Sequence, residues 1–204
     1  MPFQNRVSPF GDIAVTTARG TLMGNRGCLH DNQDHPVRQY QGRRWIICVL
    51  DFKGRTRKPM PPGHYTSLFF LDEATALAAG HRPCFFCRRG DALRFCAAWE
   101  QGNGVTNVRA PDIDAVLHRE RLEAGEKRLH ALPVPLGKLP GGAMVQEGAA
   151  SYLIAQGRAL AWSPAGYRAA DITALRHAML LTPPSALRAL SAGYRPLLHP
   201  SALG

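Results

Sequence analysis

The 204-residue chain lacks the features that mark membrane and secreted proteins. No apolar run approaches the roughly 18 uninterrupted residues that a membrane helix needs. The longest candidate, Ala178 to Leu181, stops at Pro183-Pro184. The opening residues Met1-Pro-Phe-Gln-Asn-Arg6 lack the charged-then-apolar layout of a secretory signal, so a cytoplasmic location is expected. The five cysteines are few and odd in number, which argues against a disulfide framework. With 45% apolar and 20% charged residues, the composition is that of a globular protein rather than a disordered tail.

Several catalytic signatures are also missing. Arg19-Gly-Thr-Leu-Met-Gly-Asn-Arg-Gly27 is glycine-rich, but no Gly-Lys-Ser/Thr follows, which excludes a P-loop. Neither His-Glu-x-x-His nor Gly-x-Ser-x-Gly occurs. A zinc nucleobase deaminase would need His-x-Glu ahead of its cysteine pair, whereas His118-Arg-Glu120 lies downstream of Cys84.

Acidic residues are scarce. Fifteen Asp+Glu face 25 Lys+Arg, a formal charge of +10, and most of the excess sits in the first half. Arg38, Arg43, Arg44, Lys53, Arg55, Arg57 and Lys58 are opposed only by Asp51, and Arg82, Arg88, Arg89 and Arg94 only by Asp91. Arginine dominates both clusters and suits bidentate contact with phosphate. A nucleic-acid or other polyanion partner is therefore expected, with Arg43, Arg44, Arg55, Arg57, Lys58, Arg88 and Arg89 as the contacts.

The pattern along the chain predicts an α+β fold: a zinc-stabilised N-terminal module over 1–109, a helical connector with a Pro/Gly linker over 110–142, and a small β-rich region over 143–204. Strands are expected at Thr21–Met23, Arg44–Phe52 and Tyr65–Phe70. Asp72 should cap a short alanine-rich helix, Glu73–Ala79, that Gly80 closes. Helices follow at Arg88–Gln101, with Leu93, Cys96, Ala97 and Trp99 inward, and at Pro111–Ala124. Short strands at Ala143–Gln146, Tyr152–Ala155 and Ala159–Trp162 lead to a turn at Ser163–Tyr167, and a helix spans Pro183–Gly193. Leu77-Ala-Ala-Gly-His-Arg-Pro83 is echoed by Leu190-Ser-Ala-Gly-Tyr-Arg-Pro196, best read as the same kind of helix exit used twice.

Pro83-Cys84-Phe-Phe-Cys87 is the sharpest chemical motif, since two thiolates three positions apart can hold one tetrahedral Zn²⁺. A redox pair would instead sit between a strand and a long helix in a βαβ unit. The stretch Leu68-Phe-Phe-Leu-Asp-Glu-Ala-Thr-Ala-Leu-Ala-Ala-Gly-His-Arg-Pro-Cys-Phe-Phe-Cys-Arg-Arg89 resembles the Ada-type zinc-binding module: aromatic strand, short helix, then Arg-Pro-Cys-x-x-Cys-Arg. The resemblance covers about a tenth of the chain and implies a cysteine-type zinc site on a DNA-associated module, with Cys84 and Cys87 as two ligands. It departs from that pattern in having no second close cysteine pair upstream, which leaves a methyl-accepting role unsupported.

Cys28 and His30 are the expected remaining ligands, on position and polar surroundings. Cys48, mid-strand between Ile47 and Val49, is the alternative and otherwise reads as packing, as does Cys96. The expected function is thus a structural-zinc, nucleic-acid-associated protein. The alternative is a metal-dependent nuclease or repair enzyme, for which His30, Asp31, Asp34 and His35 offer a second donor cluster.

Overall fold

The Trp45–Val49 run, rich in β-branched and aromatic side chains, suits a buried strand, and it forms the inner part of the first sheet. The computed structural model describes residues 2–54 and 58–203. Within it, β1 (Gln4–Val7), β2 (Ile13–Val15), β3 (Leu22–Asn25), β4 (Ile46–Cys48), β5 (Leu68–Phe70) and β6 (Arg82–Pro83) build one sheet in the order β2-β1-β5-β3-β4-β6. Pairing is mixed: β3 lies antiparallel to β4 and β5, while β1–β5 and β4–β6 are parallel. The expected long strand over Arg44–Phe52 is much shorter, because Asp51 accepts from Gly54 N and starts a turn.

Between β5 and β6 runs α1 (Glu73–Ala78), capped as expected by Asp72, whose side chain accepts from Thr75 N at 2.9 Å. Every residue of this helix is buried. Its alanines explain how: small side chains let neighbouring layers close around it on all sides. Gly80 closes it at φ +90°, a conformation that other residues adopt only under strain. The repeated exit is a repeated cap. His81 N bonds Ala76 O and Gly80 N bonds Leu77 O, while Tyr194 N bonds Ala189 O and Gly193 N bonds Leu190 O, the paired bonds of a Schellman motif.

Next come α2 (Arg89–Asn103) and α3 (Ala110–Arg121). The inward face of α2 is Ala92, Phe95, Ala98 and Trp99; Trp99 is inward as expected, whereas Leu93 and Ala97 are exposed and Cys96 half-buried. β7 (Leu122–Glu123) and β8 (Glu126–Lys127) form a hairpin over Ala124-Gly125, both at positive φ. A second, antiparallel sheet then contains β9 (Met144–Glu147), β10 (Ala150–Ala155), β11 (Arg158–Ser163), β12 (Gly166–Ala170) and β13 (Met179–Leu180), in the order β12-β11-β10-β9-β13. The expected turn after Trp162 is tighter than Ser163–Tyr167, and Tyr167 pairs back onto Trp162. The helix α4 (Pro184–Ser191) packs on α2, where Gly102 leaves no room for a side chain: a Cβ there would meet Arg188 O at 2.3 Å.

The mixed α+β class of the sequence reading holds. The connector and linker expected over 110–142 pack into the same core as the residues on either side. One apolar cluster joins Ile47, Leu68 and Phe70 of the first sheet to Trp99, Ile113 and Leu117 of the helices and Val145, Ile154, Leu187 and Tyr194 beyond them. Two adjacent carboxylates tie the halves further. Asp72 accepts from Tyr167 OH (3.1 Å) and His199 N (3.1 Å), and Glu73 from Tyr194 OH (2.7 Å) and Leu197 N (2.9 Å). No helix among the described residues is long and apolar enough to cross a membrane.

Candidate metal centre

Parallel pairing of β4 with β6 places Ile46 beside Arg82 and Ile47 beside Pro83, so the next residue on each strand, Cys48 and Cys84, come side by side. Cys84 N donates to Ile47 O at 2.9 Å, which pins the start of the turn. The turn brings Cys87 back beneath Cys84, and Arg88 N bonds Cys84 O at 3.0 Å as α2 begins. The Sγ atoms of Cys48, Cys84 and Cys87 all lie within 4.8 Å of one another. Three sulfurs on a tetrahedral Zn²⁺ at about 2.3 Å would stand about 3.8 Å apart, so only small adjustments separate this triangle from a coordinating one.

The local hydrogen bonds favour thiolate at Cys84. Phe86 N donates to Cys84 Sγ at 3.4 Å. Hydrogen bonds from Cys48 and then Cys87 hold the Cys84 thiol well below its ordinary range. Cys48, which keeps its proton and donates it in a hydrogen bond, is pushed up by its bonds to Cys84 and Cys87 and by burial. Met23 and Phe69 pack on the sulfurs, screening them from water on one side. On the other side opens a cleft of about 660 Å³, walled by Tyr65, Phe86, Arg44 and the Arg82–Asp114 pair. That pair is bidentate, Nε–Oδ1 2.9 Å and Nη2–Oδ2 2.8 Å, and it fixes α3 against the cysteine turn.

The structure thus brings together the two expected ligands and the alternative one. Cys28 and His30 are not part of the cluster, which corrects their assignment. His30 is buried with Nδ1 2.6 Å from Thr66 Oγ1 and Nε2 3.2 Å from Pro61 O, holding the 59–66 loop. Cys28 Sγ sits 3.8 Å from His30 O. The polar run after it is a turn: Asp31 Oδ1 accepts from Gln33 N and His35 N. Among the described residues, Cys48, Cys84 and Cys87 form the one group of three or more donors close enough to share a metal.

The expected cationic contacts divide. Arg43, Arg44, Lys58 and Arg89 are exposed. Arg88 is buried, its guanidinium on Glu73 at 2.9 Å and on Asp91 at 2.8 Å, so it joins the knuckle to α1 and is not available to a polyanion. Arg55 and Arg57 lie outside the described residues. The position of Cys48 had one signal in the sequence, the strand alternation that sets Ile46 and Cys48 on the face opposite Ile47; its parallel partner is distant in the chain and left none. Comparison of the chain with family models, with curated proteins and with solved structures returns no match to any of the three.

Proposed function

We propose that the protein holds one zinc ion on Cys48, Cys84 and Cys87 and binds nucleic acid, DNA in the first instance, along the face that carries this knuckle. The sulfur triangle is the observation that supports it most. Three convergent cysteine sulfurs, one of them accepting a backbone hydrogen bond, suit the thiolate donor set of a zinc site, where the cation offsets the repulsion between the thiolates. Around the triangle, Phe86 is 64% exposed and Tyr65 37%, unusual for aromatic side chains and suited to stacking on bases. Arg43, Arg44, Lys58 and Arg89 supply exposed positive charge in the same part of the chain.

A second reading has its own support. Structural zinc sites close with four protein ligands, whereas three leave a position for water or substrate, where a bound metal supplies Lewis acidity. The cleft beside the cysteines favours an enzyme acting on nucleic acid over a purely structural site. One experiment separates the two. Binding of duplex and single-stranded DNA is measured from about 50 to 200 mM salt, where phosphate contacts make affinity fall steeply. Removing Arg43 and Arg44 together should lower the salt slope by about one unit for each phosphate no longer neutralised, with little change in sequence preference. Metal-dependent strand cleavage in the same samples would select the enzyme reading, and absence of binding at low salt would refute both.

A further inference from the structure

Away from the knuckle, on the far side of β3 and β4, a second cavity of about 350 Å³ collects positive charge. Arg26, at the end of β3, and Arg121, at the end of α3, both lay their guanidiniums over the Trp45 ring, 4.1 and 3.7 Å from its centre. Arg26 is 2% exposed and Arg121 1%. The β7–β8 hairpin brings a third cation, Lys127, whose Nζ donates to Ala78 O. All three line the cavity.

Burying cations is costly unless anions compensate. Here none does. Among the described residues, Arg26, Arg121 and Lys127 form no ion pair with a carboxylate. Arg26 spends two donors on His81 Nε2 (3.1 Å) and Gly11 O (2.8 Å), and Arg121 reaches Gly80 O (2.9 Å), Arg43 O (2.8 Å) and His118 Nδ1 (3.0 Å). These partners are neutral acceptors; they fix the guanidiniums without cancelling their charge. Arg26 Nη2 and Arg121 Nε remain buried with no hydrogen-bond partner at all. The nearby carboxylates do not fill the gap: Asp114 commits both oxygens to Arg82, and Asp12 and Glu126 stand exposed at the rim.

We propose that this cavity is a binding site for a phosphate monoester, its oxygens taken up by Arg26, Arg121 and Lys127. Geometry and charge both call for it. A tetrahedral dianion offers several acceptor oxygens at once, matching several cationic donors held by a rigid frame. The volume is at the lower end of small-ligand pockets, enough for a phosphate with a compact substituent. Burial pushes Lys127 down to about 7, aided by the charges of Arg26 and Arg121, a penalty that a bound dianion would reverse. The site is independent of the metal reading, since no cysteine takes part.

The test uses the full chain in low-salt buffer. Inorganic phosphate and AMP are titrated by calorimetry and by tryptophan fluorescence, with adenosine as the control lacking phosphate. Saturable binding with a Kd of about 1 mM or tighter is expected for both phosphates and none for adenosine. Lys127→Met should weaken phosphate binding about tenfold or more, the loss of one charge-assisted hydrogen bond. Without ligand, the same variant should melt no lower than the wild type, because it removes a desolvated cation from two others. Arg26→Met should abolish binding; if it does not fold, Lys127→Met decides. Oligonucleotides with and without a 5′-phosphate distinguish a strand end from a free mononucleotide as the source of the group. No saturable binding at about 10 mM phosphate, or binding unchanged by Lys127→Met, would overturn the proposal.

Discussion

Replacing Glu73 by Ala tests how the cysteine turn is held to the rest of the molecule. The carboxylate is fully buried and carries a load on each oxygen: Arg88 Nη1 and Tyr194 OH on Oε1, Arg88 Nη2 and Leu197 N on Oε2. Removing one partner of a buried pair costs about 3–5 kcal/mol, because the other charge stays buried without compensation. Arg88 keeps Asp91 at 2.8 Å, which places the value toward the lower end, but the orphaned Tyr194 hydroxyl and Leu197 N–H push it back up. At about 2–4 °C per kcal/mol for a chain of this size, the variant should melt about 6–20 °C lower. Urea denaturation should show a lower midpoint at unchanged slope. The pair Glu73→Leu with Arg88→Met should recover part of the loss, since an apolar replacement removes both buried charges while the Tyr194 hydroxyl and Leu197 N–H stay unpaired. A single-variant loss below about 1 kcal/mol, the range of an exposed pair, would refute the reasoning.

Three further outcomes follow. His81 is buried and held neutral, its pKa pushed well below the ordinary value by burial and by Arg26 and Arg121. The unfolded chain therefore binds a proton below about pH 6.5 that the folded chain refuses, so stability should fall with pH by up to about 1.4 kcal/mol per unit there. Asp72, pushed up by burial, works the other way, so the comparison to make is wild type against His81→Gln across pH 5–7.5, with a flatter profile expected for the variant. Gly80→Ala should cost about 1–3 kcal/mol from its left-handed backbone alone. More is expected from the new Cβ, which would sit 2.5 Å from Arg121 Cδ, and equal thermal stability would contradict the cap geometry. Arg43→Ala with Arg44→Ala should flatten the salt dependence of nucleic-acid binding while leaving thermal stability nearly unchanged, because both side chains are exposed.

Local signals in the sequence carry most directly into the structure. The Asp72 cap, the Gly80 and Gly193 exits and the strands either side of Gly148 and Gly157 each rest on a few adjacent residues, and the structure contains them. Cys84 and Cys87 announced themselves by spacing. What local pattern could not supply was long-range pairing. Cys48 reaches the knuckle only because β4 runs parallel to β6, and a cysteine between Ile47 and Val49 otherwise looks like core. Cys28 and His30 have the right letters, but Thr66 and Pro61 claim the imidazole. Arg88 looked like surface charge, yet Glu73, fifteen residues earlier, lies beneath it. Arg26, Arg121 and Lys127 come from three separate elements and share no motif, so their convergence on one cavity is visible only in the folded chain.

The most direct test of the central claim is the metal content of the reduced protein, purified without added metal or chelator. The account predicts one zinc per chain, retained in Cys28→Ala and His30→Ala and lost in Cys48→Ser, Cys84→Ser and Cys87→Ser, with the first half losing stability alongside the metal. Native protein free of metal, or a Cys48→Ser variant that keeps a full equivalent while His30→Ala loses it, would contradict it.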